Sequence, residues 1–257
     1  MRLTVVGCAG SFAGPDSAAS CYLVQAEHAG RTWSVLLDLG NGALGALHRH
    51  LDPADVDAVV ISHLHPDHCV DLAGYYIVRT FHPDGVMPML PVHAPDGAAA
   101  RLSRVHALDD EEKPEHLRDR FDFHDLAHQE SFTVGPFTLT PHRVEHPVEA
   151  YGIRVEADGA VLAYTGDTDS TPQLNALLQG ATLALTDSAY IDGRDEVVGI
   201  HLSGSRAAQA AVDAGGVRRL MLTHIPAWND PEICRAQAAE VWPGEVELAE
   251  AGRTYEL

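Results

Sequence analysis

Residues 57–68 read DAVVISHLHPDH, and this stretch decides the fold prediction. The apolar run 57–62 is typical of a strand that is buried on both faces, as in a sheet covered by helices. Four side chains that can bind a metal ion follow within six positions, directly beyond the strand: His63, His65, Asp67 and His68. The sequence therefore predicts a metal site at the carboxyl end of a buried strand.

The spacing of these four side chains favours two metal ions over one. Alternate residues of an extended chain share a face, so His63 and His65 project to one side. The turn that follows redirects Asp67 and His68 to a second point. Two neighbouring ions would use all four side chains.

The remaining chain reads as short strands and helices in alternation. The predicted strands cover 3–7, 21–26, 33–40, 57–62, 89–95, 131–144, 151–159, 160–168, 181–190 and 217–225. The predicted helices cover 42–51, 69–81, 96–108, 172–180, 203–215 and 231–241. The charged segment 104–130, with its acidic run 109–112, interrupts this order and is interpreted as a solvated surface excursion.

The order is a β-meander followed by helices and strands, and it occurs twice. Sheets and helices that each bury one face pack in layers. We therefore expect an α/β fold, a four-layer αββα sandwich of two mixed β-sheets flanked by helices. The length predicts a single domain over 1–257.

The charge of the chain excludes some partners. Acidic residues outnumber basic ones 37 to 17, for a net charge of −20. Such a field repels nucleic-acid backbones, so binding of nucleic acid is not expected.

Cysteine usage and hydropathy indicate the setting. The four cysteines are scattered without a CxxC pair, which indicates neither a disulfide framework nor a thiolate zinc site. A reducing, cytoplasmic location is expected. No apolar run approaches the roughly 18 residues that span a bilayer, so no membrane association is expected. Cys69, next to the histidine cluster, is interpreted as a small buried residue.

Three further candidate ligands also follow strand-like runs: His146 in RVEHP, Asp167 in YTGDT and His224 in LMLTHI. Imidazoles and carboxylates without thiolate suit zinc best, with manganese or iron tolerated. The chain has sixteen histidines, and a single one would more often be an ordinary polar residue. Ten are interpreted as surface or satisfied histidines: His28, His48, His50, His82, His93, His106, His116, His124, His128 and His142.

Asp38, in LLDLGNG, is a candidate for an indirect role. Metal-bound histidines usually donate their other ring N–H to a carboxylate, and Asp38 could be such an acceptor.

Four motifs contain the seven candidate ligands, and they occur in this order over nearly the whole chain: HLHPDH, RVEHP, YTGDT and LMLTHI. Together they resemble the motifs of the metallo-β-lactamase superfamily. The resemblance implies that His63, His65 and His146 hold one of two Zn²⁺ ions. It implies that Asp67, His68 and His224 hold the other, and that Asp167 bridges the two. Mn²⁺ or Fe²⁺ could replace zinc.

A further pair, Asp187 in LTDSAY and His201 in GIHLSG, resembles the ribonuclease Z-like branch of phosphodiesterases. The resemblance implies that His201 stabilises a phosphoryl oxygen or protonates the leaving oxygen, with Asp187 orienting its ring. The branch often has glutamate at that position, so the reach of the shorter Asp187 stays open. His201 could instead cap the helix that follows. The expected catalytic residues are Asp67, which is also a ligand, His201 and Asp187.

The tRNA-binding arm of ribonuclease Z would lie between His146 and Asp167. This chain has only twenty residues there, so no such arm is expected.

The chain looks closest to the actinobacterial atypical class II cyclic-nucleotide phosphodiesterases. Three segments carry this resemblance: the opening GCAGSFAGPDSAASCYLV, the LLDLGNGALGAL block and GIHLSG. This resemblance implies a dinuclear metal-dependent phosphodiesterase that hydrolyses a 3′,5′-cyclic nucleotide such as cyclic AMP. A metal-bridging hydroxide would attack phosphorus, and His201 would protonate the departing 3′ oxygen.

Three alternatives stay open. The first is a ribonuclease Z-like endonuclease that processes tRNA 3′ ends. The second is a lactonase or thioesterase of the same fold, and the third is a noncatalytic metal-binding module. The expected partner is a small-molecule phosphodiester substrate, and a homodimer is an open alternative to a monomer.

Overall fold

The computed structural model describes residues 1–107 and 115–257. Its strands, in chain order, are β1 (Arg2–Ala9), β2 (Ala18–Ala19), β3 (Cys21–His28), β4 (Arg31–Leu37), β5 (Ala58–Val60), β6 (Leu90–Ala94), β7 (Phe121–Asp125), β8 (Phe132–Val134), β9 (Phe137–Arg143), β10 (Tyr151–Ala157), β11 (Ala160–Tyr164), β12 (Leu183–Asp187), β13 (Leu220–Thr223), β14 (Val246–Leu248) and β15 (Thr254–Glu256). Its α-helices are α1 (Ala43–Leu47), α2 (Pro66–Cys69), α3 (Asp71–Phe81), α4 (Ala98–His106), α5 (Gln173–Leu178), α6 (Gly204–Asp213) and α7 (Pro231–Ala239), and short 3-10 helices cover Pro53–Asp55 and His116–Asp119.

The strands form two mixed sheets. The first has the order β15-β1-β3-β4-β5-β6-β7, with β2 paired to β1, and the second has the order β14-β13-β12-β11-β10-β9-β8. In the first sheet β1, β3 and β4 are antiparallel neighbours, and β4 to β7 are parallel. In the second, β8 to β11 are antiparallel and β11 to β14 are parallel. Each sheet thus repeats the predicted order of meander and crossovers.

Alternating side chains of each central strand serve two different cores. In β12, Leu183 and Leu185 join the core between the two sheets, whereas Ala184 faces the helices. This alternation follows from the two-residue period of a strand. One helix-facing core joins the first sheet to α1, α3 and α4, and the other joins the second sheet to α5, α6 and α7. The predicted four-layer αββα sandwich is confirmed.

The layered packing brings strand ends from both sheets to one edge of the molecule. The parallel strands β11, β12 and β13 all end there, and β5 of the first sheet ends close by. The backbone N–H of Tyr151, in the second sheet, donates to the carbonyl of Ser62, 3.0 Å away, beyond the end of β5. His63 forms an isolated bridge with Ala150. The loops after these strands therefore share one edge.

A tight hairpin joins β10 to β11, and its residues Asp158 and Gly159 adopt the left-handed conformation, with φ of 54° and 74°. This conformation is that of a two-residue hairpin turn, and Ala157 pairs with Ala160 across it. The twenty residues between His146 and Asp167 therefore contain only a tight hairpin and its flanks.

Three features differ from the sequence predictions. The interpretation of 104–130 as a solvated surface excursion is wrong in part: 104–106 end α4 and 121–125 form β7, paired in parallel with β6, although most other described residues of the segment are exposed or partly exposed. Phe121 is fully buried, so one face of this short polar strand completes the core. The acidic run 109–112 lies outside the described residues. The helix predicted at 42–51 is α-helical only from 43 to 47, and 246–256 contribute two strands for which no prediction was made.

Within the described residues, none of the helices combines the length and apolarity needed to cross a membrane.

Candidate metal-binding active site

The predicted ligands lie together at the shared edge, each just beyond a strand or in the turn that follows it. His63 and His65 follow β5, and Asp67 and His68 lie in the short helix α2. The other three lie in the loops after β9, β11 and β13: His146, Asp167 and His224. The structure thus brings together side chains that are up to 161 positions apart in the sequence.

The seven side chains form two groups that share Asp167. One donor atom from each member of a group lies within 4.8 Å of the others. The first group contains His63, His65, His146 and Asp167, and the second contains Asp67, His68, His224 and Asp167. The Oδ1 atom of Asp167 lies 3.1 Å from His68 Nε2, and its Oδ2 atom lies 3.2 Å from His224 Nε2. Those two histidines belong to the second group, and the Oδ2 atom also lies 3.5 Å from His63 Nε2 of the first group, so the shared carboxylate is in reach of both groups.

Three polar atoms of this cluster are buried without a hydrogen-bond partner among the described residues. They are His68 Nε2, His224 Nε2 and Asp167 Oδ1; the first and the last lie 3.1 Å apart, but not in hydrogen-bonding geometry. An unsatisfied buried polar atom costs on the order of 1–3 kcal/mol, so three in one place call for a missing partner. A cation between them would satisfy all three atoms at once. The donor set of imidazole and carboxylate fits zinc, and these residues therefore fit a metal site.

The pKa values of the cluster favour cation binding. Burial lowers the pKa of His63 well below its usual value, and the nearby His68 lowers it further, so its imidazole is neutral and free to coordinate. Burial opposes ionisation of Asp167, yet His224 and His68 outweigh it and hold the pKa of that carboxyl well below its usual range. Burial also opposes charge on His68, but Asp167 and Asp38 raise its pKa well above the usual value. The two carboxylates therefore favour positive charge at this position.

Asp38 fixes the orientation of His68. Its Oδ2 atom accepts a hydrogen bond from His68 Nδ1 at 2.7 Å and another from the Tyr164 hydroxyl at 2.7 Å. Its Oδ1 atom accepts from the backbone N–H of Ser62 at 2.6 Å. The hydrogen bond to Asp38 occupies Nδ1 of His68 and leaves Nε2 facing the cluster. The predicted contact of Asp38 with a histidine of the site is confirmed.

The other histidines are oriented by partners that the sequence did not reveal. Ser20 Oγ lies 3.1 Å from His224 Nδ1, and Ser62 Oγ lies 3.1 Å from His63 Nδ1. His146 Nδ1 donates to the carbonyl of Ile200 at 2.8 Å. A serine or a carbonyl carries no sequence signal for this role. Only the adjacency of Ser62 to His63 could have suggested one of them.

Cys69 takes no part in either group. Its thiol donates to the carbonyl of His65 at 3.2 Å, and burial raises its pKa to about 12. A thiol with this pKa stays protonated and is a poor ligand. The interpretation of Cys69 as a small buried residue is confirmed.

His201 and Asp187 lie beside the two groups as a bonded pair. His201 Nδ1 donates to Asp187 Oδ2 at 2.9 Å, so the aspartate side chain is long enough. Asp187 is fully buried and also accepts from the backbone N–H groups of Thr168 and Ala189 at 3.1 and 3.0 Å. Asp187 and His201 form a third group of possible ligands with Asp167, which places the pair next to the shared carboxylate.

The environment of His201 keeps its ring charged. Burial lowers its pKa, but the charge and hydrogen bond of Asp187 outweigh burial and raise the pKa to about 9. With Nδ1 held by Asp187, the remaining ring N–H of the imidazolium is free to donate. The capping alternative is wrong, because the hydroxyl of Ser203 caps α6 by accepting from the N–H of Arg206.

The chain is similar in sequence and structure to known proteins. The model of the family described as Beta-lactamase superfamily domain matches residues 34–225. An uncharacterized protein of Mycobacterium tuberculosis is 39% identical over 263 aligned positions, which cover 100% of this chain and 92% of that protein. A ribonuclease Z of Salinispora arenicola is 26% identical over 277 positions, 84% of each protein.

The third similar protein is YhfI of Bacillus subtilis, named a probable metallo-hydrolase and 28% identical over 266 positions covering 100% of both chains. Its crystal structure, described as that of a metallo-beta-lactamase fold protein, matches this structure with a TM-score of 0.85 and covers 99% of both chains at 26% identity. The family match spans more than half of the chain. The cluster of candidate ligands lies at the edge of the fold that the strand ends share. The chain belongs to the beta-lactamase superfamily and is a metallo-hydrolase.

Proposed function

We propose that this metallo-hydrolase is a dinuclear phosphodiesterase that acts on small 3′,5′-cyclic nucleotides such as cyclic AMP. The observation that carries the proposal is the Asp187–His201 pair, held 2.9 Å apart beside the carboxylate shared by both ligand groups. An imidazolium at that position supplies a positive charge for a phosphoryl oxygen and a proton for an alkoxide leaving group. Hydrolysis of a cyclic phosphodiester needs both.

The ligand assignment follows the two groups. His63, His65 and His146 would hold one metal ion, while Asp67, His68 and His224 would hold the other, and Asp167 would bridge them. Zinc is the ion that this donor set suits best. Two bound ions would supply Lewis acidity to the phosphoryl oxygens and a water of lowered pKa as the nucleophile.

The chain itself supplies the proton chemistry. Burial alone would raise the pKa of Asp67, but His68, whose Nε2 lies 3.5 Å from Asp67 Oδ2, and the charge of His224 hold it well below its usual range. Asp67 is therefore ionised and able to accept a hydrogen bond from an attacking water. Asp187 binds Nδ1 of His201, whose ring lies 5.5 Å from that of His146 and 5.4 Å from that of His224, and the other ring N–H would protonate the departing 3′ oxygen. The cyclic phosphodiester opens to the 5′ monophosphate.

The surroundings of the site favour a small substrate. The net charge of −20 repels a polyanion, which must lay many phosphates along the outer surface. Between His146 and Asp167 the chain forms only the β10–β11 hairpin, closed by a tight turn, so this segment provides no arm for a tRNA. A single phosphodiester needs only the local positive charge at the site.

Ribonuclease Z activity is the second candidate, because one relative of 26% identity bears that name. The deciding experiment compares kcat/KM for cyclic AMP with kcat/KM for a tRNA carrying a 3′ trailer, in the same buffer and metal. We expect cyclic AMP to be the better substrate. A lactone and a thioester in the same panel test the remaining hydrolase alternatives. Efficient trimming of the tRNA with negligible cyclic AMP turnover would reverse the order.

Metal content tests the ligand assignment. Metal-free protein reloaded with zinc should bind two ions per chain, measured by elemental analysis after removal of excess metal. The Asp167→Ala variant should bind less, because the shared carboxylate contacts both groups. Asp57→Asn is a matched control, since Asp57 binds Arg31 and the Ser34 backbone outside the site. One ion or fewer in the fully reloaded wild-type protein would contradict the assignment.

Replacement of His201 tests its role as an acid. His201→Ala should retain both metal ions but lose activity on cyclic AMP by ~10²- to 10⁴-fold, the usual contribution of general acid catalysis. The loss should be much smaller with bis(p-nitrophenyl) phosphate, because p-nitrophenolate leaves without a proton. Steady-state kinetics on both substrates measures the difference. Equal losses on the two substrates would assign His201 to binding, and loss of metal would assign it to ligation.

The Asp187→Asn variant tests the cause of the raised pKa. The wild-type pKa of His201, about 9 in the metal-free structure, exceeds the ordinary 6.5 because of Asp187. The folded state thus holds this proton more tightly than the unfolded state, and the resulting stabilisation is present below pH 6.5 and lost as the pH rises through 9. In Asp187→Asn the pKa should fall, since burial remains while the carboxylate charge is gone. NMR titration of metal-free protein, with the resonance assigned by His201→Gln, measures it; an unchanged pKa would refute this cause.

A further inference from the structure

Two exposed aromatic side chains pack against each other in a tilted arrangement, in loops that leave the site. Phe12 and Trp228 are 38% and 64% exposed, and their ring centroids lie 4.9 Å apart with an interplanar angle of 37°. They are 216 positions apart in the sequence, so the fold alone brings them together. Large aromatic side chains usually bury most of their surface, and an exposed pair at the rim of a site suggests a ligand.

The loop that carries Phe12 is fixed against His224. The backbone N–H of Gly10 donates to the carbonyl of Ile225 at 3.3 Å, and Ala9 forms a bridge with Ile225. A Cβ atom on Gly10 would lie 2.2 Å from the His224 carbonyl oxygen, so only glycine permits this approach. Ser11 then adopts a left-handed conformation with φ of 64°, and Phe12 follows directly. A strained residue at this point indicates a functional constraint on the loop.

Trp228 lies in a tight turn that is bound to the segment beyond Asp187. The backbone N–H of Asn229 donates to the carbonyl of Pro226 at 2.8 Å, which closes the turn four residues beyond His224. The Asn229 side chain donates to the carbonyl of Ala189 at 2.8 Å and accepts from Arg194 at 2.8 Å. The N–H of Ala189 in turn binds Asp187 at 3.0 Å. The turn therefore lies between the loop of Phe12 and the segment that supports the His201 pair.

We propose that the Phe12–Trp228 pair is the subsite for the nucleobase of the substrate. The inference rests on the proposed function, because the pair would bind the base, the part of a nucleotide that the metal-binding groups do not contact. Every nucleobase has a π-face that can stack on an aromatic ring, so such stacking accepts any of the bases. With the phosphodiester at the site, the base stacks on the exposed face of Trp228. The rigid turn holds this face in place before the substrate arrives, so little entropy is lost on binding.

The exposed segment before His201 supports the same interpretation. Val197 and Val198 are 56% and 80% exposed, and they lie four and three residues before His201. Their exposed side chains would add apolar surface for a ligand bound beside His201. Recognition by stacking and apolar contact ranks bases by ring size, so purine cyclic nucleotides should have lower KM values than pyrimidine ones.

The test compares substrates with and without a base. Trp228→Ala should raise KM for cyclic AMP about tenfold, the order expected for the loss of one base–aromatic stack, and should change kcat little. The same variant should change KM far less for abasic ribose 3′,5′-cyclic phosphate, which keeps the sugar and the phosphodiester but has no aromatic ring to stack on Trp228. Trp228→Tyr should restore most of the affinity. Phe81→Ala is the matched control, because Phe81 is an exposed aromatic residue on α3, outside the site.

Failure of this inference is distinct from failure of the proposed function. An unchanged KM for cyclic AMP in Trp228→Ala, or an equal change on both substrates, overturns the subsite alone. If the wild-type protein hydrolyses no cyclic nucleotide, the proposed function fails, and calorimetric binding of 5′-AMP and ribose 5-phosphate to the metal-loaded protein decides the subsite. Weaker binding of 5′-AMP in the variant, with ribose 5-phosphate unaffected, supports it; equal binding of 5′-AMP by both proteins overturns it.

Discussion

The rest of the structure depends on compensation of one buried negative charge, the carboxylate of Asp167. It is almost fully buried at the edge where the two sheets meet. A buried carboxylate is costly unless it is paired, so positive groups must surround it. The imidazoles of His63, His68 and His224 lie within 3.5 Å of its oxygens. These imidazoles and the carboxylate form a buried centre that a bound cation would stabilise.

Two residues of this centre have strained backbones. Asp38 and His224 both adopt the left-handed conformation, with φ of 61° and 57°, although neither is glycine. Such conformations cost on the order of 1–3 kcal/mol each and persist only where the surroundings enforce them. At Asp38 the enforcing contacts are the hydrogen bonds from Ser62, Tyr164 and His68. In this conformation the Asp38 carboxylate, just beyond β4 of the first sheet, contacts His68. The hydrogen bond from Tyr164, at the end of β11, links the same carboxylate to the second sheet.

The sequence predicted the parts of the site that follow local rules. A buried strand that ends in HLHPDH directs its side chains by the two-residue period, and parallel strand ends necessarily share an edge. Those rules do not locate partners across the two sheets. Ser20, Tyr164 and Phe12 acquire their contacts only when distant strands pack, and no pattern in their own segments signals it. The short strand β7 was missed because a single buried Phe121 within a charged segment gives too weak an alternation.

The contrast between the protein surface and the site bears on how substrates are selected. The chain carries a net charge of −20, whereas His201 and two bound cations would make the site itself positive. Screening confines the field of the site to about 8–10 Å at ordinary ionic strength, so only groups that enter the site are attracted. A small monoanion can place its entire charge within that distance, while a polyanion must leave most of its charge over the acidic surface. Because phosphate charge does not distinguish one small phosphodiester from another, selection among them would depend on the neutral part of the molecule, which is the part that the proposed Phe12–Trp228 subsite would bind.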